Sequence, residues 1–94
     1  MPDLPALEYE LELFVAGDSP HGALALRNLQ ALCAQHLAGR YTLTVVDLHQ
    51  DPARAEADGV IGLPMLLKRR PGLVRRLVGD LSDPDRVLKV LGLP

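Results

Sequence analysis

The chain has no tryptophan, one phenylalanine and two tyrosines among its 94 residues, and a single cysteine. So few aromatics leave almost no surface on which bases could stack, and a formal net charge of −2 supplies no field to gather a polyanion, which argues against nucleic acid as a partner. One thiol, Cys33, cannot close an internal disulfide, and its place among the apolar positions of a predicted helix marks it as a small buried hydrophobe. The longest apolar stretch, around Val60 to Leu67, is far shorter than the roughly 20 residues that cross a bilayer. The opening residues have no charged segment followed by an apolar one, so the expectation is a cytoplasmic protein without membrane contact.

Catalytic and ligand-binding patterns are equally scarce. Ala16-Gly17-Asp18 carries one glycine and no lysine, which is no phosphate loop. His21, His36 and His49 are widely spaced and have no Cys or His at ligand spacing. His21 stands near Ser19, but no oxyanion loop accompanies them, and Ser19 is needed as a helix cap. No enzyme activity, cofactor or metal is therefore expected. Glu8, Glu10 and Glu12 alternate with apolar residues and read as the solvated face of a strand.

What is present is a run of clear local signals in one small domain over residues 8–94, after a flexible leader over residues 1–7 that holds two prolines. Hydrophobic residues make up 48% of the chain, enough that part of the apolar surface is expected to await a partner or a second copy. Tyr9, Leu11, Leu13 and Val15 alternate as a half-buried strand. Ser19 and Pro20 then cap and start a helix in which Leu26, Leu29, Cys33 and Leu37 recur at helical spacing until Gly39. Tyr41 to Leu48 is a second strand, and the spacing makes a β-α-β unit with parallel strands. Asp51 and Pro52 repeat the cap-then-proline signal for a short alanine-rich helix stopped by Asp58-Gly59. Met65 to Lys68 and Leu73 to Val78 form a hairpin around Arg69-Arg70-Pro71-Gly72. Ser82 caps a last helix that carries Val87, Leu88 and Leu91, with acids Asp83 and Asp85 in its first turn.

The order β-α-β-α-β-β-α resembles the thioredoxin fold. Leu63-Pro64 stands where that fold usually keeps a cis-proline. Asp18, Ser19, Pro20 and His21 stand where its oxidoreductases keep a Cys-x-x-Cys pair. Disulfide exchange needs a thiolate nucleophile, which none of these residues supplies, so the fold points to recognition rather than electron transfer. An oxidoreductase working through Cys33 or an external thiol is the enzymatic alternative.

Within that frame, Tyr9 to Pro20, Gly39 to Asp47, Asp51-Pro52 and Val74 to Ser82 (VRRLVGDLS) resemble the KaiB family over nearly the whole chain. The same blocks are similar to the sensor domain of SasA-type histidine kinases. The resemblance implies a non-enzymatic regulator, in a circadian clock or related stress signalling, that binds the hexameric RecA-like ATPase and kinase KaiC. A KaiA-like protein or a SasA-type kinase could be a further partner. It also implies a homo-oligomer at rest, dimer or tetramer, and a second fold of order β-α-β-β-α-α-β. The region rebuilt between the two would hold Gly59, Gly62, Pro64, Pro71, Gly72, Gly79 and Asp80. Gly62-Leu63-Pro64-Met65 departs from the family's common Ala-Thr-Pro-Thr, and the chain lacks an acidic tail.

Five cations, Lys68, Arg69, Arg70, Arg75 and Arg76, fall within nine residues on and beside the hairpin. Such a patch suits an acidic protein surface, where charge steers encounter and sets register. Lys68, Arg75 and Arg76 match basic positions of the KaiB family and are the expected partner-binding residues. Asp80, Asp83 and Asp85 could face that patch in another subunit, although helix capping accounts for the latter two.

Overall fold

The computed structural model describes residues 8–94, so the expected leader over residues 1–7 lies outside the described residues. Its elements are β1 (Tyr9–Val15), α1 (Pro20–His36), β2 (Tyr41–Asp47), α2 (Ala53–Ala57), β3 (Met65–Arg70), β4 (Arg75–Val78) and α3 (Pro84–Leu91). This is the thioredoxin-like order, not the alternative β-α-β-β-α-α-β. The strands lie in the order β2-β1-β3-β4. β1 runs parallel to β2, with Tyr9 opposite Tyr41 and Val15 opposite Asp47. β3 is antiparallel to both β1 and β4.

The larger core lies between the sheet and helices α1 and α3. Leu11, Leu13, Leu29, Cys33, Leu37, Leu66, Val87 and Leu91 are buried in it, and the Tyr9 hydroxyl donates to the Leu91 carbonyl at 2.9 Å. A smaller core of Phe14, Val46, Met65 and Leu67 lies on the other face beside α2. β1 is therefore not half-buried as its alternation suggests. It sits between two neighbours with both faces covered, and the continuous apolar run Met65-Leu66-Leu67 beside it has the same cause.

The helix ends follow local chemistry. Ser19 Oγ accepts from the Gly22 N–H at 3.1 Å with Pro20 in the first turn. Gly22 is needed for contact, since a Cβ there would lie 3.0 Å from Val15 Cγ1. At α3 the cap is Asp83, not the expected Ser82: Asp83 Oδ1 accepts from the Asp85 N–H at 3.1 Å, while the Ser82 N–H donates to Asp80 Oδ1 at 3.0 Å. Ser82 is thus held in an Asx turn, one residue short of the helix. Gly92 at φ +73° closes α3 in a left-handed cap, with Leu93 N–H reaching the Leu88 carbonyl. At α2 the expected Asp51 cap is absent; Pro52 occupies the cap position with helical dihedrals, and no side chain caps the helix.

The hairpin also differs from expectation. Arg69 and Arg70 belong to β3, whereas Leu73 and Val74 lie in the connection. Pairing decides this: Arg70 is opposite Glu10, past a register shift that leaves Arg69 as the extra residue of β3, and ion-pairs with it at 3.4 Å. The turn is closed by Lys68, whose Nζ donates to the carbonyls of Pro71 and Leu73. The Leu63-Pro64 bond is cis, as the fold resemblance suggested, and so is Arg70-Pro71.

Candidate functional site

The place of the missing redox pair is a closed turn. Asp47 Oδ1 accepts from the Gly17 N–H at 2.9 Å and the His49 N–H at 2.8 Å. Those bonds, first from His49 and then from Gly17, hold its carboxyl below the usual value. The His49 ring packs on Gly17 so closely that a Cβ there would meet Nδ1 at 2.8 Å. Cys33 is fully buried, and burial pushes its thiol up to about 11. It is therefore uncharged at neutral pH and out of reach of a disulfide, unsuited to exchange chemistry.

The five cations of the hairpin are sorted by the pleat into different environments. Lys68 is only 4% exposed, and its ammonium faces the turn carbonyls. Burial and then the charge of Arg75 lower its pKa. Arg69 points to the opposite face and pairs with Glu12 and Asp58. Arg70 is largely exposed. Arg76 is exposed but donates through Nε and Nη2 to the Asp58 carbonyl at 3.2 and 2.9 Å. Arg75 is exposed on the side facing α3. Of the three expected partner-binding residues, Arg75 and Arg76 are thus at the surface, and Lys68 supports the turn between their strands.

The expectation that Glu8, Glu10 and Glu12 form a solvated row is overturned at Glu12. That side chain is buried and lies between Arg54 and Arg69, with Arg54 Nη2 at 2.5 Å. Asp58 completes a quartet by accepting from Arg54 Nε at 2.6 Å and from Arg69. The Arg54 guanidinium also lies 5.6 Å from the centroid of the Phe14 ring. Burial works to raise the Asp58 pKa, but the two guanidinium hydrogen bonds outweigh it and hold the group below its usual value. Hydrogen bonds from Arg54 and Arg69 likewise raise both arginines, with Asp58 the larger influence. The one local trace of this cluster in the sequence is the Arg54/Asp58 spacing of one helical turn; Glu12 and Arg69 join it from strands distant in the chain.

The expected rebuilt region lies around these groups. Gly59, Gly72 and Gly79 have positive φ. Gly62 packs against Val78, and Pro64, buried, accepts from the Gly79 N–H through its carbonyl. Pro71 and Gly72 form the hairpin connection, and Asp80 bonds to Ser82, whose side chain and backbone N–H lower its pKa. Asp80 and Asp83 both have local backbone partners. Ile61 is 81% exposed and Leu73 72%, with Leu63, Val74 and Val78 also open on the same half of the chain. Among the described residues no group of three or more His, Cys, Asp or Glu is gathered as a metal site, and no helix is long and apolar enough to cross a membrane.

These features define a thioredoxin-fold protein without a thiolate, whose second half displays exposed arginines and apolar side chains. Solved structures agree on the fold: the N-terminal domain of Synechococcus elongatus SasA matches with a TM-score of 0.77 at 25% identity, over 98% of this chain and 90% of that one. Mitochondrial thioredoxin 3 of Saccharomyces cerevisiae matches at 0.72 and 16% identity, over 92% and 79%. The KaiB domain family model matches residues 12–93, and the chain belongs to the KaiB family. Among its relatives is the circadian clock oscillator protein KaiB of Prochlorococcus marinus strain MIT 9313, 43% identical over 95% of this chain and 75% of that protein. The protein of the same name from Nostoc sp. strain PCC 7120 is 42% identical over 90% and 79%.

Proposed function

We propose that this chain is a non-catalytic KaiB-type regulator, acting in the cytoplasm, that binds a KaiC-type hexameric ATPase and modulates its phosphorylation or ATPase cycle. The observation that carries the reading is β4: an edge strand with Arg75 and Arg76 exposed, beside open apolar residues, in a fold whose one thiol is buried. Edge position and cationic side chains suit capture of an acidic protein surface and keep the strand from pairing with copies of itself. The family's clock role comes to this chain through its relatives' names and the KaiB domain match.

Fold switching, from a resting dimer or tetramer of order β-α-β-β-α-α-β to the present arrangement, is part of the proposal. Its support is the thinness of the packing around α2, which buries no side chain of its own. The likeness to SasA supports a second reading, an adaptor for a histidine kinase in trans. Sedimentation of the protein alone and with the KaiC-type hexamer, in ATP and in ADP, tests the first reading. Nucleotide-dependent co-sedimentation is expected; no association after long incubation, with association to a histidine kinase instead, selects the second.

A further inference from the structure

β4 and α3 enclose an open groove of about 310 Å³, walled by Arg75, Arg86 and Lys89 and floored by Leu77 and Val90. Alternation along β4 puts Arg75 and Leu77 on this side and sends Arg76 and Val78 to the other, where Arg76 is engaged by the Asp58 carbonyl. Arg86, Lys89 and Val90 follow at the one-turn spacings of a helix and so share a face of α3. Among the described residues the side chains of Arg75, Arg86 and Lys89 enter no hydrogen bond or ion pair. Asp85, the acid immediately before Arg86, makes no ion pair with Arg86 or Lys89, and Asp83 holds the helix cap.

Lys68 adds a fourth cation near Arg75, and their repulsion is one reason its pKa is lowered, after burial. Like charges gathered around an apolar floor repel one another and are relieved by a ligand that brings several anions and an aliphatic group together. A phosphate alone would leave the floor uncovered, and a lipid surface is broader than a groove beside one edge strand. We propose that this groove binds an acidic, extended segment of a partner protein, its carboxylates facing Arg75, Arg86 and Lys89 and an aliphatic side chain resting on Leu77 and Val90. The inference rests on the partner-binding reading above, but it assigns contact to the α3 side of β4 and leaves Arg76 outside it.

Amide shifts of the labelled protein, recorded while a short synthetic peptide rich in Glu and Asp with two leucines is added, test the assignment. Saturable shifts are expected at Arg75, Leu77, Arg86, Lys89 and Val90. Their affinity should fall about tenfold in an Arg86→Gln/Lys89→Gln variant and on raising sodium chloride from about 0.05 to about 0.3 M, and less than about twofold in Arg76→Gln. Glutamine keeps the helix propensity of α3, and the variant's own spectrum verifies its fold. Shifts centred on Arg76 or Ile61, no saturable shift, or the same shifts from inorganic phosphate alone overturn the proposal. Co-sedimentation of both variants with the KaiC-type hexamer separates the two claims. A hexamer that binds wild type and the double variant equally removes the groove and spares the partner reading; a groove that maps with the peptide while wild type ignores the hexamer does the reverse.

Discussion

On the side of the sheet covered by α1 and α3, apolar side chains meet in a fully buried core, with Leu13, Leu29, Cys33, Leu37 and Val87 at zero exposure. On the side covered by α2, four apolar residues share the space with Glu12, Arg54, Asp58 and Arg69. The first face is held by burial, which scales with area and is indifferent to low salt. The second is held by charges whose arginines remain about one-third exposed, 32% for each side chain, so solvent and ions reach the contacts. One sheet thus carries a face built to stay and a face that conditions can loosen. Met65, Leu67 and Arg69 of the loosely held face lie in the half of the chain in which a fold change is proposed, while Glu12, Phe14 and Val46 anchor it to the first two strands.

The sharpest way to break this contrast is to damage each face and compare. Leu29→Ala should destabilise the protein by about 3 kcal/mol in urea unfolding, with little change between low and high salt. Glu12→Gln leaves Arg54 and Arg69 with Asp58 as their remaining acid and should cost about 1–2 kcal/mol, a loss that shrinks in about 1 M salt. Equal salt responses of the two variants would dissolve the distinction.

Acid probes the same face. The folded-state pKa of Asp58 lies below its usual value, so its ionised form stabilises the fold above the unfolded-state pKa, and that contribution is lost as pH falls through the folded-state value. Urea midpoints measured downward from about pH 5 should therefore fall more steeply for wild type than for Asp58→Asn. Parallel curves would assign the acid sensitivity elsewhere, with Asp47 and Asp80, also lowered, the next candidates. The smallest expected effect is on the packed face. Insulin reduction with dithiothreitol should stand at background and be unchanged by Cys33→Ser, and alkylation of Cys33 at neutral pH should wait for unfolding. A fast-reacting thiol in the native protein would restore the oxidoreductase alternative.

The packed face was the legible one. Its signals are local: Ser19 with Pro20, the spacing of Leu26, Leu29, Cys33 and Leu37, and the Tyr41 strand at β-α-β distance, each of which needs only a few neighbouring residues to be interpreted. The charged face was not, because its contacts join residues 42 and 57 positions apart. A glutamate between apolar residues reads as solvent-facing until β3 and α2 are placed over it. The same limit applies to the basic run, where chain order groups five cations that the pleat then disperses. Lys68 was readable as a cation but not as a turn brace, since its partners are the carbonyls of Pro71 and Leu73. The capping of α3 failed by one residue, because an Asx turn and an N-cap draw on the same residue types.

The Asp47 carboxylate has a consequence for where this molecule can do its work. Open α/β sheets receive ligands in the crevice beyond the carboxyl ends of their parallel strands, where backbone N–H groups are free to meet an anion. Here those ends belong to β1 and β2, and the N–H groups of Gly17 and His49 that follow them already converge on one internal anion. The chain has supplied its own occupant at the customary ligand position, and a visiting phosphate or carboxylate would have to displace it. That leaves the opposite edge, β4, whose cations make no ion pair among the described residues, as the place for the recognition proposed above.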